Sequence, residues 1–197
     1  MDKHKLGLYG GCFDPIHYGH LFTASYIREK MRLHKIIFIP SGIPPHKNTT
    51  FATPEQRYAM VKLAVNGNKY FSVSRIETDT KTVSYTYDTL QKLKCTYSRA
   101  KLYFIIGMDE LIQIPLWKHG LELLSLCTFI IAARPGYDLK KVDKNVINKV
   151  RLIDTPLIDI ESTQIRLRAR KSMSLKYYIP EVVERYILTN KVYGSKK

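Results

Sequence analysis

The strongest constraint on the fold of this chain is a regular alternation of short apolar runs with longer segments of helical period. The apolar runs are rich in Ile, Val, Phe and Tyr, and they lie at residues 5–10, 35–40, 71–76, 101–106, 128–133 and 151–153. This alternation is typical of parallel strands that are joined by crossover helices. The run 35–40 is apolar on both of its faces, as expected of a central strand. The sequence therefore predicts an α/β fold with a doubly wound parallel sheet of about five to six strands.

The segments between the apolar runs carry helix start and stop signals. Thr53 precedes a proline, and Gln56 stands three residues after Thr53, so the two predict a capping box at a helix start. Asn66 and Gly67 predict the end of this helix after Val65. Helices are expected at residues 18–32, 53–65, 87–93, 121–126 and 180–188, with a basic helix that opens at 161–166 and a strand-to-helix turn at 107–110.

The C-terminal residues, 157–197, are predicted to form a small helical part of the same domain. They are too few to bury a core of their own, so we expect them to dock on the sheet. The predicted architecture is thus a single Rossmann-like domain over residues 1–197, with helices on both faces of the sheet.

Charge limits the choice of partner. The chain has 32 Lys and Arg against 17 Asp and Glu, a formal net charge of +15. Such an excess favours an anionic partner, which could be nucleic acid, an acidic membrane surface or a small phosphorylated molecule. The basic residues are spread along the whole chain with one dense cluster at 166–171, and this spread disfavours nucleic acid as the main partner.

Cysteine usage and hydropathy indicate the compartment. Cys12, Cys95 and Cys127 are odd in number and lack CxxC spacing, which argues against a disulfide framework or a structural zinc site. No apolar run approaches the roughly 20 residues that cross a bilayer, so no membrane partner is expected. We therefore expect a cytoplasmic protein, and a homo-oligomer remains open.

Residues 10–20 carry the strongest chemical signal: Gly-Gly-Cys-Phe-Asp-Pro-Ile-His-Tyr-Gly-His. They follow the first predicted strand and open the first predicted helix, where backbone N–H groups suit phosphate. His17 and His20 are three residues apart at this helix start, so both imidazoles can face the same phosphate oxygens. A metal pair would lack a third ligand at local spacing. Two solvent-exposed histidines would leave the three neighbouring glycines unexplained.

This stretch resembles the GGxFDPxHxGH signature of nicotinate-nucleotide adenylyltransferases, in the nucleotidyltransferase superfamily that is marked by a (T/H)xGH motif. Further segments resemble motifs of that family in the family's order: IPPHK at 43–47, SYTYDT at 84–89, IGMD at 106–109, PLWK at 115–118, ARPG at 133–136 and STQIR at 162–166. One residue departs from the pattern, because Glu161 stands where the family usually has a small polar residue. The resemblance covers the chain from the first strand to the basic helix and implies a single nucleotidyltransferase domain.

The resemblance implies an ATP site between the first stretch and the 162–166 motif. It assigns catalysis to His17, His20, Lys47 and Arg166. It assigns ATP binding to Gly10, Gly11, Phe13, His17, Gly19, His20, Ser162, Thr163 and Arg166. Mg²⁺ is expected to accompany ATP, held mostly by substrate and water oxygens and by no metal ligand of the protein. The sequence has no GxxxxGK[ST] motif, so a Walker loop is not expected to hold the phosphates.

The resemblance also implies a mononucleotide site. It assigns this site to His46, Lys47, Ser84, Tyr85, Thr86, Gly107, Asp109, Trp117 and Arg134. Trp117 is expected to stack on the pyridine ring, and Thr86 with neighbouring amides to bind the nicotinate carboxylate. From the residues alone, Trp117 could instead be a core residue, Thr86 and Asp109 could be helix caps, and His46 with Lys47 a solvated pair.

The implied function is adenylyl transfer from ATP to nicotinate mononucleotide, which gives deamido-NAD and pyrophosphate in NAD biosynthesis. The attacking phosphate is already ionised, so positioning and charge stabilisation are expected to suffice. A rival hypothesis keeps this chemistry but changes the acceptor to nicotinamide mononucleotide, phosphopantetheine or a cytidylyl-transfer substrate. A rival of another class is a non-catalytic nucleic-acid-binding module, whose affinity would fall steeply with salt.

Overall fold

The computed structural model describes residues 4–45, 50–133 and 142–195. Its strands are β1 (Lys5–Gly11), β2 (Lys35–Pro40), β3 (Phe71–Val73), β4 (Lys101–Gly107), β5 (Thr128–Ala133) and β6 (Val150–Asp154). Its helices are α1 (Tyr18–Lys30), α2 (Pro54–Val65), α3 (Thr86–Thr96), α4 (Met108–Gln113), α5 (Gly120–Leu123), α6 (Lys144–Ile147), α7 (Ser162–Arg170) and α8 (Glu181–Thr189). Short 3₁₀ turns lie at Ile114–Leu116 and Val192–Gly194.

The described strands form one sheet in the order β3-β2-β1-β4-β5-β6, and every neighbouring pair is parallel. This is the order of a doubly wound Rossmann-like sheet, so the predicted α/β class and strand number are confirmed. The chain leaves β1 toward β2 on one side and reaches β4 on the other. Ligands in such sheets bind outside the carboxyl ends of the strands at this reversal point.

The sheet separates two apolar clusters, because successive strand residues point to opposite faces. Phe38 and Ile105 join the cluster that α1, α2, α7 and α8 cover. Ile39 and Phe104, their chain neighbours, join the cluster on the other face. Phe38 and Ile105 are completely buried, and each such side chain contributes about 1.5–3 kcal/mol by leaving water. The strand 35–40 is therefore buried on both faces, as its composition predicts.

Most predicted elements lie where the sequence places them, with four main differences. The helix predicted at 121–126 is confined to α5 (Gly120–Leu123). β3 ends at Val73 and not at Ile76, because the backbone turns at Ser74, whose hydroxyl accepts the Ile76 N–H at 3.2 Å. α3 is longer than predicted, and the short helix α6 was not predicted. α6 is capped by the Asp143 carboxylate, which accepts the Asn145 N–H at 2.7 Å.

The C-terminal helices pack on the sheet. Ile165 of α7 and Val183 of α8 are completely buried in the same cluster as Phe38. The assignment of the whole chain to one domain remains a prediction. In the described part of the chain, no helix has both the length and the apolar character needed to cross a membrane.

Candidate functional site

A cavity of about 170 Å³ opens at the carboxyl ends of β1, β2 and β4, at the reversal point of the sheet. Six of the predicted site residues line it: Gly10, Gly11, Ser84, Tyr85, Thr86 and Trp117. They come from the turn after β1, the start of α3 and the segment before α5. The structure thus places two glycines of the predicted ATP site in one cavity with four residues of the predicted mononucleotide site.

The two motif histidines cap the first helix through each other. His17 is the N-cap of α1, and its Nδ1 accepts the His20 backbone N–H at 3.4 Å. His20 Nδ1 in turn accepts the His17 backbone N–H at 3.3 Å, and the rings stack with centroids 3.6 Å apart. Because both Nδ1 atoms are acceptors, each neutral ring carries its proton on Nε2. This reciprocal capping box fixes the two Nε2–H donors side by side at the positive end of α1.

The start of α7 lies against the turn that precedes α1. Ser162 Oγ donates a hydrogen bond to the Pro15 carbonyl at 2.9 Å. Arg166 donates to the Asp14 carbonyl at 2.8 Å and to Thr163 Oγ1 at 3.0 Å. Two helix N-termini therefore converge near the histidine pair, together with a guanidinium. This arrangement can bind several phosphate oxygens.

Asp14 braces this turn. Its carboxylate accepts the backbone N–H groups of Phe51 at 2.8 Å and Ala52 at 3.2 Å. It also accepts the Tyr193 hydroxyl at 2.8 Å. Burial, and secondly the charge of Asp14, raise the pKa of Tyr193 above its usual range, so the phenol stays protonated as a donor.

Two predicted ATP-binding residues have packing roles that limit how they can reach a ligand. Phe13 is 2% exposed, and its ring packs edge-on against the His20 ring at 5.1 Å, so its contact with ATP stays a prediction. Gly19 is buried, and a Cβ there would lie 3.0 Å from His17 Nδ1. Gly19 therefore leaves room for the His17 ring, and its contact with ATP stays a prediction.

The N-terminus of α3 faces the cavity from the other side. Thr86 is the first residue of this 11-residue helix, and Tyr85 at the N-cap makes no side-chain capping bond. The first N–H groups of a helix have no intrahelical partner and attract anions. Trp117 is half-buried, lines the cavity and also touches the apolar cluster. The ring of Trp117 therefore packs partly against the core while it borders the cavity, and its stacking on a pyridine ring stays a prediction.

Ion pairs and ring contacts hold the tryptophan segment on α3. Lys118 Nζ lies 2.9 Å from Asp88 Oδ2 and stands 4.8 Å from the Tyr85 ring centroid. The His119 ring packs on Tyr87 with centroids 4.2 Å apart. These contacts fix the spacing between Trp117 and the start of α3.

Asp109 does not cap α4. Gly107 is the N-cap, and its N–H donates to Glu110 Oε2 at 3.1 Å. Asp109 is exposed and lies one residue inside the helix. The interpretation of Asp109 as the cap is therefore wrong, while nucleotide contacts of Gly107 and Asp109 stay predictions. His46, Lys47 and Arg134 lie outside the described residues.

Sequence reasoning missed two charged residues beside the cavity, one of them buried and the other half-buried. Arg57 is completely buried in α2, and Glu77 lines the cavity wall. Burial raises the pKa of the Glu77 carboxyl above its ordinary value of 4.5, although hydrogen bonds from Thr89 and Gly42 and the charge of Arg57 oppose the shift. A sequence signal existed for Arg57, because it occupies the apolar stripe of α2 with Met60 and Val61.

Comparisons with known proteins agree on the family. The cytidylyltransferase-like family profile matches residues 8–168. The chain is 41% identical over 193 residues to a probable nicotinate-nucleotide adenylyltransferase of Dictyoglomus thermophilum, covering 96% of this chain and 99% of that one. It is 42% identical over 201 residues to a protein of the same description from Moorella thermoacetica, covering 98% and 93% of the two chains.

A solved structure supports the fold. The nicotinic acid mononucleotide adenylyltransferase of Plasmodium falciparum, complexed with NaAD, superposes with a TM-score of 0.80 over 98% of both chains at 23% identity. The near-complete coverage of curated relatives at about 40% identity establishes more than the fold. This chain belongs to the nicotinate-nucleotide adenylyltransferase family.

Proposed function

We propose that this chain transfers the adenylyl group of ATP to nicotinate mononucleotide in NAD biosynthesis, giving deamido-NAD and pyrophosphate. The observation that carries the proposal is the cavity that joins the glycine turn after β1 to the N-terminus of α3 beside Trp117. The glycine turn suits phosphates, and the N-terminus of α3 beside Trp117 suits an aromatic ring that bears an anion. Family membership favours the same reaction.

The ATP phosphates are assigned to the convergence of α1 and α7. His17 and His20 each present an Nε2–H donor, and the start of α7 adds Ser162, Thr163 and Arg166. Donors fixed before the reaction stabilise charge that develops on the α-phosphate and on the departing pyrophosphate without reorganising. Lys47, on the loop after β2, is proposed to add a further cation.

The acceptor is assigned to the α3 side. The nicotinate carboxylate would accept N–H groups at the start of α3 and the Thr86 hydroxyl, while Trp117 stacks on the pyridine ring. His46, Lys47 and Arg134 are proposed to hold the acceptor phosphate. Gly107 and Asp109 are proposed to meet the nucleotide at the end of β4.

The reaction needs orientation more than base catalysis. An oxygen of the mononucleotide 5′-phosphate attacks the α-phosphorus of ATP in line, and the bond to the bridging oxygen of the β-phosphate breaks. The attacking phosphate is ionised near neutral pH, so no proton has to be removed. Two bound substrates held at attack distance gain most of the rate from proximity and from charge stabilisation.

A divalent cation is proposed to arrive as part of the nucleotide substrate. In the described residues no group of three or more His, Cys, Asp or Glu is placed to hold a metal ion. The donors near α1 and α7 are imidazole and guanidinium N–H groups, which suit phosphate oxygens and not a cation. We propose that Mg²⁺ enters on ATP through phosphate and water oxygens and neutralises charge on the leaving pyrophosphate.

The basic cluster 166–171 does not favour the nucleic-acid-binding rival. Arg166 is engaged with the turn before α1. Arg168 donates to the Ser174 carbonyl at 2.8 Å, and Arg170 stands 4.9 Å from the Phe51 ring centroid. Arg166 and Arg170 thus contact the rest of the domain, and Arg168 bonds within the C-terminal part. We also propose a cytoplasmic location, since all three cysteines are free thiols.

Turnover with competing substrates tests the proposed function. Pyrophosphate release is measured with ATP and either nicotinate or nicotinamide mononucleotide, and then with CTP in place of ATP. We expect kcat/KM to favour the acid over the amide by roughly 10², because anion donors in the site would face an uncharged amide. Equal kcat/KM values for the acid and the amide would refute acid specificity, and turnover with CTP alone would refute adenylyl transfer.

A variant pair at Thr86 links this preference to the proposed subsite. Thr86→Val removes the hydroxyl and keeps the shape, so the acid-to-amide ratio should shrink by roughly tenfold, as for one lost hydrogen bond to a charge. Thr86→Ser keeps the hydroxyl and serves as the control. If Thr86→Val and wild type have the same acid-to-amide ratio, the nicotinate carboxylate does not bind at Thr86.

A further inference from the structure

Arg57 is a buried cation whose hydrogen-bond partners are all neutral. Its side chain is completely buried. It donates hydrogen bonds to the carbonyls of Cys12 at 2.9 Å, Gly42 at 2.7 Å and Ala52 at 3.3 Å, and to Ser41 Oγ at 3.2 Å. Within the described ranges, no carboxylate lies at ion-pair distance from it. The Glu77 carboxyl interacts with the charge of Arg57 from beyond ion-pair distance. Burying a guanidinium without a direct ion pair is costly, so packing alone does not account for an arginine at this position.

The acceptors of Arg57 belong to three segments, and two of these, at Cys12 and at Ser41, line the cavity. Gly42 and Ala52 stand at the entrance and the exit of the loop between β2 and α2. Cys12 lies in the turn that leads from β1 to the histidine pair. The exit of the loop is also held by Asp14, which accepts the Phe51 and Ala52 N–H groups. One guanidinium therefore joins both ends of the loop to the phosphate-binding turn.

The start of the loop between β2 and α2, at Ser41 and Gly42, is closely packed. Ser41 N–H donates to the Gly11 carbonyl at 2.9 Å. A Cβ on Gly42 would collide with the Glu77 carbonyl and lie 2.7 Å from Ser84 Oγ. The chain thus passes closely between the β1 turn and the segment before α3, and a displacement of Gly42 would move both walls of the cavity.

The chemistry of arginine fits this position better than that of other residues. The planar guanidinium has five N–H donors in a fixed fork, and a lysine ammonium has one nitrogen that cannot reach three separate segments. A methionine would fill the apolar stripe of α2 but would leave four oxygens without their donor. Cys12 and Ser41 line the cavity while bonding Arg57, so the positive charge lies directly behind that wall.

We propose that Arg57 is a positioning residue for the phosphate of the acceptor mononucleotide. It clamps the entrance and exit of the loop between β2 and α2 to the turn after β1, and its buried charge makes this wall of the cavity attractive to an anion. The inference rests on the proposed function for its phosphorylated acceptor. Arg57 does not touch substrate, since its donors are occupied by the chain itself.

Two substitutions and a control test this role. Arg57→Met removes the charge and the donors, and Arg57→Lys keeps the charge but not the fork. Arg75→Met is the matched control, because Arg75 pairs with Glu55 and Asp79 on the exposed surface. Steady-state pyrophosphate release gives kcat and both KM values. Fluorescence of Trp117, the sole tryptophan of the chain, gives the mononucleotide Kd without ATP.

We expect Arg57→Met to raise the mononucleotide KM and Kd by roughly tenfold and to lower kcat/KM by roughly 10², as small misplacements of reacting groups do. The KM for ATP should change less, since the loop entrance that Arg57 holds at Ser41 and Gly42 lies beside Ser84 on the acceptor side. Arg57→Lys should recover part of the mononucleotide affinity through its charge but little of kcat. Arg75→Met should match wild type.

A purely structural role predicts a different result. It would lower kcat in proportion to the unfolded fraction seen by circular dichroism, with KM and Kd unchanged, and this outcome would overturn the proposal. If Arg57→Met does not fold, Arg57→Lys decides by the same KM and Kd comparison. Wild type that forms no deamido-NAD would refute the proposed function, whereas active wild type with unaltered Arg57 variants would refute only the role of Arg57.

Discussion

Replacing His20 should have two separable effects, because its ring serves both the helix and the reaction. His20→Ala removes the Nδ1 acceptor of the His17 N–H and, in the proposed mechanism, the Nε2–H donor to phosphate. Loss of one helix-capping bond costs about 1 kcal/mol. In a chain of 197 residues, this lowers Tm by roughly 2–4 °C. Loss of one transition-state donor lowers kcat by roughly 10²–10³.

His20→Gln separates the two effects. Glutamine at the third helical position is the usual capping-box partner, so its Oε1 can accept the His17 N–H in place of the imidazole. We therefore expect His20→Gln to unfold in urea with nearly the free energy of wild type. Its kcat should stay about 10² below wild type, because the shorter amide does not place a donor where the His20 Nε2–H stands.

The assay combines urea unfolding, followed by far-ultraviolet circular dichroism, with pyrophosphate release at saturating ATP and mononucleotide. A role of His20 in catalysis would be refuted if folded His20→Gln turned over within about threefold of wild type. Stabilisation of α1 by the capping bond from position 20 would be refuted if His20→Ala and His20→Gln had the same free energy of unfolding. Nucleic-acid affinity that survived His20→Ala in a chain without turnover would instead favour the binding-module rival.

Two further predictions concern the acceptor side of the cavity. Trp117→Ala should raise the mononucleotide KM by roughly tenfold with little change in the KM for ATP, because one aromatic stack is lost; Trp117→Phe is the control, and unchanged mononucleotide affinity by calorimetry would assign the ring to the core alone. Glu77→Gln should flatten the pH dependence of stability. The folded carboxyl has a pKa above 4.5, so the folded state holds the proton longer, and the free energy of unfolding falls as pH rises from 4.5 through the raised pKa. Glutamine does not titrate, so identical slopes in wild type and Glu77→Gln would contradict this account.

The order of elements could be predicted because it rests on local patterns. The capping box at the start of α2 forms as predicted: Thr53 Oγ1 accepts the Gln56 N–H, and Gln56 Oε1 accepts the Thr53 N–H. The strand 35–40 ends where its apolar run ends. Such features depend on neighbours three or four positions away, so one sequence is enough to reveal them. The motif at 10–20 likewise predicts a phosphate turn from its own residues.

The distant hydrogen bonds that hold the site together could not be predicted from such local patterns. The position of Arg57 on the apolar stripe of α2 indicates burial but not its acceptors, because Cys12 and Gly42 are 45 and 15 residues away. The carboxyl of Glu77 is paired with Thr89 across the cavity wall at 2.8 Å. Both residues are shielded from water only because segments from different parts of the chain meet at the carboxyl edge of the sheet. No local period encodes that meeting.

The phosphate turn is therefore held in place by distant segments and not by its own sequence. Asp14 receives the Tyr193 hydroxyl from 179 positions away, and its carbonyl receives Arg166 from 152 positions away. Such contacts close long loops, so they form only when the C-terminal part has docked. Local glycines and prolines select the shape of the turn, and the C-terminal segments then hold it rigidly against the histidine pair. Because electrostatic catalysis needs donors that are fixed before the substrate arrives, the proposed mechanism depends on the C-terminal segments although they lie far from the turn in sequence.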